Sequence, residues 1–343
     1  MRCFGRFNHR RVMKVSMNSL QEVVQYLKDE DDFIVVGHES PDPDSLGAML
    51  GLYFGLIQLG KSCRVVSADP VPAELSWEGL ELIEHIPSGF AAGDSCVVVV
   101  DCEPERTGSI KEGVINAKRL VNIDHHRRGR GIGDIVYVNP DEAATSIIVY
   151  RILRELNVSF DNKIAAAVYG GIVGDTGGFR HANTTSEVMF IAGELLQFSI
   201  DPAAIAREIF SSRPLGFLQL LGAALSGLQT AQHGRLAWMT VSHRQFAEYG
   251  VDPKSSDYFV SFVRMLNTAE IAMVFREISP GQIKVGLRAN HVDVGSLARH
   301  IGGGGHRLAS GATLSGDLHT VAAKVVKLAE HFLITGELHE WHN

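Results

Sequence analysis

The first half of the chain alternates short apolar runs with stretches whose apolar residues recur every three or four positions. Runs at 33–36, 63–66, 96–100, 119–123 and 135–138 predict strands. The most apolar of these, FIVV and CVVVV, read as strands buried on both faces of a parallel sheet. Helical spacing predicts a helix at 18–30, where Leu20, Val23, Val24 and Leu27 share a face. A second is predicted from Leu46 through Met49, Leu50, Tyr53 and Ile57, with Gly60 as its stop. Further helical stretches fall at 80–86, 145–156, 164–173, 186–196, 202–210 and 215–228. Alternating strands and helices imply crossover connections, so the carboxyl ends of the strands share one edge of the sheet. Beyond His233 and Gly234 the pattern changes. Strands are predicted at 236–241, 271–275 and 282–288, the last two joined by a turn at Gly281, and helices at 259–266, 294–300 and 321–332. The expected fold is α/β: a doubly wound parallel-sheet lobe, then a smaller mixed αβ lobe, with a cleft between them. The expected boundaries are 18–205 for the first lobe, a helical linker at 206–232, and 233–336 for the second.

Composition narrows the partners. The 343 residues are 45% hydrophobic and 21% charged, an ordinary globular balance with room for two or three cores. A net charge of −7 argues against a face that tracks a long nucleic-acid duplex, though not against a short nucleotide in a local pocket. No apolar run is long enough to cross a membrane. Cys3, Cys63, Cys96 and Cys102 lack CxxC spacing and read as small buried hydrophobes in a reducing cytoplasm. Residues 1–16 are basic and acid-free without the apolar centre of a secretory signal. Residues 1–17 are therefore expected to be a disordered extension, or the product of a start placed upstream of Met13 or Met17.

The chemistry-bearing residues gather where strands end. In FIVVGHESPDPDS, His38, Asp42 and Asp44 lie on the loop between a strand and a helix, where open α/β sheets bind ligands. Carboxylates two residues apart on an extended loop repel unless a cation lies between them. Oxygen donors with one imidazole suit Mn²⁺, Mg²⁺ or Fe²⁺. The plain alternative is a helix N-cap at Asp44 or Ser45. Asp101 follows VVVV directly, and Asp124, His125 and His126 follow another strand. Asp175 ends an apolar helical segment between glycines. Asp101 beside other carboxylates would have a raised pKa unless cations intervene. On an extended backbone His125 and His126 would point to opposite sides, one toward metal and one toward substrate, with Asp124 orienting a histidine. His38, His125, Asp42, Asp44, Asp101 and Asp175 are too many donors for one zinc. They suit two ions that clamp a phosphoryl group.

A second signal lies at Gly302, Gly303, Gly304 and Gly305, followed by His306. Such a run is often a flexible turn, but its amides can also form an anion nest. Arg288, at a predicted strand end, offers a guanidinium suited to phosphate. Arg127, Arg128 and Arg130 read as a solvated face with a secondary steering role. Arg180 or His181 is expected to line the cleft.

Taken in order, HESPDPDS, VVVVDC, NIDHH and GDTGGFRHANTT resemble the four motifs of the DHH phosphoesterase family. RANHVDVGSLARHIGGGGHRLASGA resembles the DHH-associated C-terminal domain, and the whole resemblance covers about residues 18–335. Within the family the chain is most similar to the nanoRNase/oligoribonuclease branch, which also dephosphorylates 3′-phosphoadenosine 5′-phosphate. The resemblance implies a cytoplasmic bimetallic phosphodiesterase, with Mn²⁺ as the usual ion and Mg²⁺ or Fe²⁺ as alternatives. It would release 5′-mononucleotides from very short oligoribonucleotides, or phosphate from a bisphosphorylated nucleotide, and a homodimer is the family expectation. His38, Asp42 and Asp101 would hold one ion, and Asp44, Asp101, His125 and Asp175 the other, with Asp101 bridging. Asp124 would support His126, which would face the scissile phosphate and protonate the leaving oxygen. Arg288, His306 and the glycine amides would grip the substrate. Ser40, Pro43 and Ala48 stand where asparagine, glycine and serine are frequent, and none of these departures removes a ligand. Competing readings are a phosphatase of the same fold acting on cyclic dinucleotides, pyrophosphate or polyphosphate, and a non-catalytic nucleotide-binding module.

Overall fold

The computed structural model describes residues 17–72, 75–126 and 132–338. The expectations for the N-terminal extension and for Arg127, Arg128 and Arg130 lie outside the described residues. The chain divides into two units, Met1–Ser212 and Arg213–Asn343.

In the first unit the order is α1 (Leu20–Asp29), β1 (Phe33–Val36), α2 (Pro43–Gln58), β2 (Cys63–Ser67), β3 (Ile83–His85) and β4 (Cys96–Val100). It continues with α3 (Lys111–Ile115), β5 (Arg119–Asp124), β6 (Ile135–Val138), α4 (Thr145–Glu155), α5 (Asn162–Asp175), α6 (Ser186–Leu195) and α7 (Pro202–Phe210). The six strands form one parallel sheet in the order β3-β2-β1-β4-β5-β6. Successive residues of β4 feed two cores. Cys96, Val98 and Val100 face the layer that includes α1, α2, α4 and α5. Val97 and Val99 face a thinner layer with Ile110 and Val114. Burial on both faces is why these strands are apolar throughout. The chain order reverses between β1 and β4, and the carboxyl ends of neighbouring strands there form the crevice in which such sheets bind ligands.

One predicted helix is corrected. Residues 80–86 form a single tight turn at Leu80–Leu82 and then β3, because Val65 pairs with Ile83 and extends the sheet by one strand.

The second unit contains α8 (Leu215–Ser226), β7 (Gln229–Ala231), β8 (Leu236–Val241), α9 (His243–Tyr249), α10 (Phe259–Val263), β9 (Ile271–Ser279) and β10 (Gln282–Ala289). It ends with α11 (Val294–His300), β11 (Gly304–Gly305), β12 (Ala309–Ser315) and α12 (Leu318–Thr335). Its mixed sheet runs β11-β12-β10-β9-β8-β7. One face packs on α11 and α12 and the other on α8, α9 and α10. Of the stretch expected as a linker, α7 ends in the first unit, while Phe217, Leu220 and Leu221 of α8 enter a core of the second. Among the described residues no single helix is long and apolar enough to cross a membrane.

Candidate metal centre

The crevice is built outward from the start of α2. Asp42 is the N-cap: its Oδ1 accepts hydrogen bonds from the amides of Asp44 and Ser45, both at 3.0 Å, and Pro43 occupies the first helical position. Asp44 is therefore inside the first turn, not on an extended loop, and neither it nor Ser45 is the cap. The buried Asp44 carboxylate instead crosses to α4. Its Oδ2 accepts from Thr145 N at 2.7 Å and its Oδ1 from Ser146 N at 2.9 Å. Helix α4 begins behind Ala144, which offers no capping side chain, so Asp44 satisfies amides that would otherwise be orphaned. Glycines let the backbones come this close. A Cβ on Gly47 would lie 2.4 Å from Ala167 O, and one on Gly171 would lie 1.9 Å from Ser146 Oγ and 2.8 Å from Asp44 Oδ1. The approach of α2 to α5 brings Asp175, the last residue of α5, to the same place.

Asp101 follows β4 in a left-handed conformation, φ 65°, with its amide bonded to Ile123 O. Such a backbone is uncommon outside glycine and is retained where a site requires it. It turns the buried carboxylate into the crevice. There Oδ2 is 3.6 Å from His38 Nε2 and Oδ1 is 3.6 Å from His125 Nε2. Both imidazoles are fixed from behind. His38 Nδ1 is 2.7 Å from Glu39 O and His125 Nδ1 is 3.2 Å from Glu142 O, so protonation at Nδ1 leaves each Nε2 a lone pair aimed inward. His38 Nε2 also lies 3.6 Å from Asp42 Oδ1. His125 Nε2 is 3.1 Å from Asp175 Oδ2 and 3.9 Å from Asp44 Oδ2, yet it is buried with no well-formed hydrogen bond among the described residues. The expectation that the two adjacent histidines diverge is corrected: their ring centroids are 4.5 Å apart. Strand β5 ends at Asp124, whose Oδ1 collects the amides of His125 and His126 at 2.8 and 3.1 Å and so curls the backbone. The same oxygen is 2.7 Å from His126 Nδ1, so Asp124 orients His126.

Three groups of donors result, each with ligand atoms within 4.8 Å of one another: His38, Asp42 and Asp101; Asp44, His125 and Asp175; and Asp101, His125 and His126. The electrostatics call for added positive charge. Burial and the charges of Asp44, Asp42, Asp175 and Asp124 push the Asp101 carboxyl well above the usual range. Burial, reinforced by Asp44 and Asp42 and opposed by His125, raises Asp175 to about 6. Burial disfavours charge on His125, but the neighbouring Asp175 and Asp44 carboxylates outweigh it and lift the imidazolium to about 10. The orphaned Nε2 of His125 and the converging carboxylate oxygens fit hard divalent cations.

Sequence reasoning missed Thr145, whose Oγ1 donates to Asp101 Oδ1 at 2.9 Å, and Asn183, whose Nδ2 donates to Ala143 O and Asp175 O. The available signal was a predicted helix starting after two alanines, with no cap of its own. Arg180 is turned back onto its own loop: Nε donates to Gly177 O, and the guanidinium lies 5.4 Å from the centre of the Phe210 ring. His181 stays beside the site, with Nδ1 3.2 Å from Asp175 O.

In the second unit, half-buried Arg288 donates from Nη1 to Leu287 O at 2.9 Å. No carboxylate among the described residues forms an ion pair with it, and burial lowers its pKa. In the ladder it pairs with Ala309, whose backbone is bonded to that of His306. Arg288 and His306 thus lie in one row across the sheet with a small residue between them. The amide nest expected at the glycines is corrected in part. Gly302 N donates to Arg299 O and Gly303 N to Ala298 O, ending α11, while Gly304 and Gly305 form β11 against Gly311 and Ser310. Glycine is needed there for close contact, since a Cβ on Gly303 would lie 2.2 Å from Gly311 O.

Comparison with known proteins adds a relationship to this geometry. The family model described as DHH family, N-terminal domain, matches residues 32–172, and the DHHA1 domain model matches residues 236–334. The chain is 32% identical over 306 residues to the bifunctional oligoribonuclease and PAP phosphatase NrnA of Thermus thermophilus, covering 87% of this chain and 89% of that protein. It is 25% identical to the protein of the same name from Bacillus subtilis, covering 85% of this chain and 92% of the other. Among solved structures, an exopolyphosphatase-related protein from Bacteroides fragilis superposes with a TM-score of 0.82 at 24% identity, covering 93% of this chain and 97% of the other. The RecJ structure with Mn²⁺ from Thermus thermophilus gives a TM-score of 0.54 at 17% identity, covering 94% of this chain and 56% of that one.

Proposed function

From the premise that this chain belongs to the DHH family, with a DHHA1 domain behind the DHH domain, we propose that it hydrolyses phosphoester bonds in two small nucleotide substrates. These are very short oligoribonucleotides, shortened to 5′-mononucleotides, and 3′-phosphoadenosine 5′-phosphate, which loses a phosphate. The observation that carries this reading is the meeting of His38, Asp42, Asp44, Asp101, His125 and Asp175 at one sheet edge.

Two divalent ions, Mn²⁺ by this donor set, would be held by His38, Asp42 and Asp101 and by Asp44, Asp101, His125 and Asp175, supplying Lewis acidity to the phosphoryl oxygens and acidifying a water. Asp101 serves both groups because its two oxygens face different histidines. Asp124 accepts a hydrogen bond from Nδ1 of His126 and so supports its imidazolium form, whose second proton, on Nε2, passes to the leaving oxygen. In the second unit, Arg288 and His306 grip a substrate phosphate, and among the described residues no carboxylate pairs with the guanidinium.

The test is one panel of substrates offered to the purified protein with Mn²⁺: dinucleotide, pentanucleotide, 3′-phosphoadenosine 5′-phosphate, cyclic di-AMP and pyrophosphate. The expected result is turnover of the dinucleotide and of the bisphosphorylated nucleotide. Turnover confined to pyrophosphate or to the cyclic dinucleotide would overturn the substrate assignment, and turnover of none would overturn the enzymatic one.

A further inference from the structure

Thr145 is fully buried at the first position of α4 and touches two of the carboxylates just described. Its amide donates to Asp44 Oδ2 at 2.7 Å and its hydroxyl to Asp101 Oδ1 at 2.9 Å. Among the described residues that hydroxyl is the single hydrogen-bond donor to the Asp101 carboxylate. The backbone of Asp101 sets where its carboxylate stands, but not how it is rotated. A donor on Oδ1 removes that freedom. With Oδ1 drawn toward α4, Oδ2 is left toward His38 and Asp42, while Oδ1 stays on the side of His125. Rotation of the carboxylate about its Cβ–Cγ bond would take the oxygens away from this division.

We propose that Thr145 is a positioning residue that holds Asp101 in the bridging orientation and thereby determines how tightly the two cations bind. This rests on the two-cation reading above. Through its amide the same residue orients Asp44, so one helix end sets the geometry of two ligands contributed by different elements. Side chains that orient ligands in this way commonly change metal affinity by about 10- to 100-fold when removed.

The experiment is calorimetric titration of the metal-free full chain with Mn²⁺, comparing wild type, Thr145→Val and Thr145→Ser. Valine keeps the shape, the β-branching and the amide but removes the hydroxyl. Serine restores the hydroxyl. The expected result is tenfold or weaker Mn²⁺ binding in Thr145→Val, with Thr145→Ser within about threefold of wild type. If Thr145→Val does not fold, Thr145→Ala is compared with Thr145→Ser in the same titration. Mn²⁺ affinities equal to wild type in the variant without the hydroxyl would overturn the inference while leaving the two-cation reading intact. A wild-type chain that binds no Mn²⁺ would instead overturn the reading beneath it.

Discussion

At Asp101 a left-handed backbone, a buried carboxylate and four neighbouring acids coincide. Each is unfavourable alone, and a pair of cations would relieve the electrostatic part. Asp101→Asn preserves the shape and removes the charge. Its kcat/KM with Mn²⁺ should fall by roughly a hundredfold or more, as assayed on a dinucleotide, and full turnover would contradict the assignment. Proton linkage follows with a definite sign. Asp175, raised to about 6, and Asp101, raised well above the usual carboxylate range, hold protons in the folded metal-free chain that the unfolded chain releases. Metal-free stability should therefore fall as pH rises through about 6. His125, raised to about 10, acts in the same direction at higher pH. Cations displace the protons on the carboxylates, so Mn²⁺ affinity measured by titration should rise between about pH 5 and 7. Ser40 gives a smaller test. It holds φ 52° just after His38, a conformation asparagine tolerates better, so Ser40→Asn should raise stability in denaturant melts by about 0.5 kcal/mol. At this scale the donors were legible because carboxylate and imidazole after an apolar run are chemically conspicuous. Thr145 and Asn183 were not, because they act through contacts with residues distant in the chain.

Helices α2, α4 and α5 convert those residues into a site. Gly47, Gly51 and Gly55, spaced by four, leave room for Ala167, Val168 and Leu153, and Gly171 answers from α5. Gly171→Ala would drive a methyl group into Ser146 Oγ and the Asp44 carboxylate. It should cost about 1–3 kcal/mol in thermal or chemical unfolding, and should weaken Mn²⁺ binding as well. Unchanged Mn²⁺ affinity would show that the helix spacing does not govern the ligands. Elements with strong periodicity, such as β6, α7, β8 and α11, were readable to the residue. Those that depend on pairing were not. Strand β12, ASGATLS, is weak in strand-forming residues and exists because β10 pairs with it over seven residues. Helix α9 is only seven residues long, although its capping box at Ser242 and Gln245 was visible in the sequence.

The whole molecule has two units, each with its own sheet and cores, and the proposed function gives chemistry to the first and recognition to the second. Arg288→Ala should raise the KM for 3′-phosphoadenosine 5′-phosphate about tenfold or more while leaving Mn²⁺ affinity unchanged, a split that steady-state kinetics and titration together would reveal. The change from long apolar strands to a hairpin-rich pattern made the second fold legible. The roles of its glycines were not, because a glycine run looks alike whether it binds an anion or lets two strands touch. Anomalous scattering at the manganese edge, from crystals grown with Mn²⁺, tests the central claim most directly. Two peaks are predicted, one against His38, Asp42 and Asp101 and one against Asp44, Asp101, His125 and Asp175, with Asp101 touching both. No peak there, or a single peak that leaves Asp101 uncoordinated, would contradict the account.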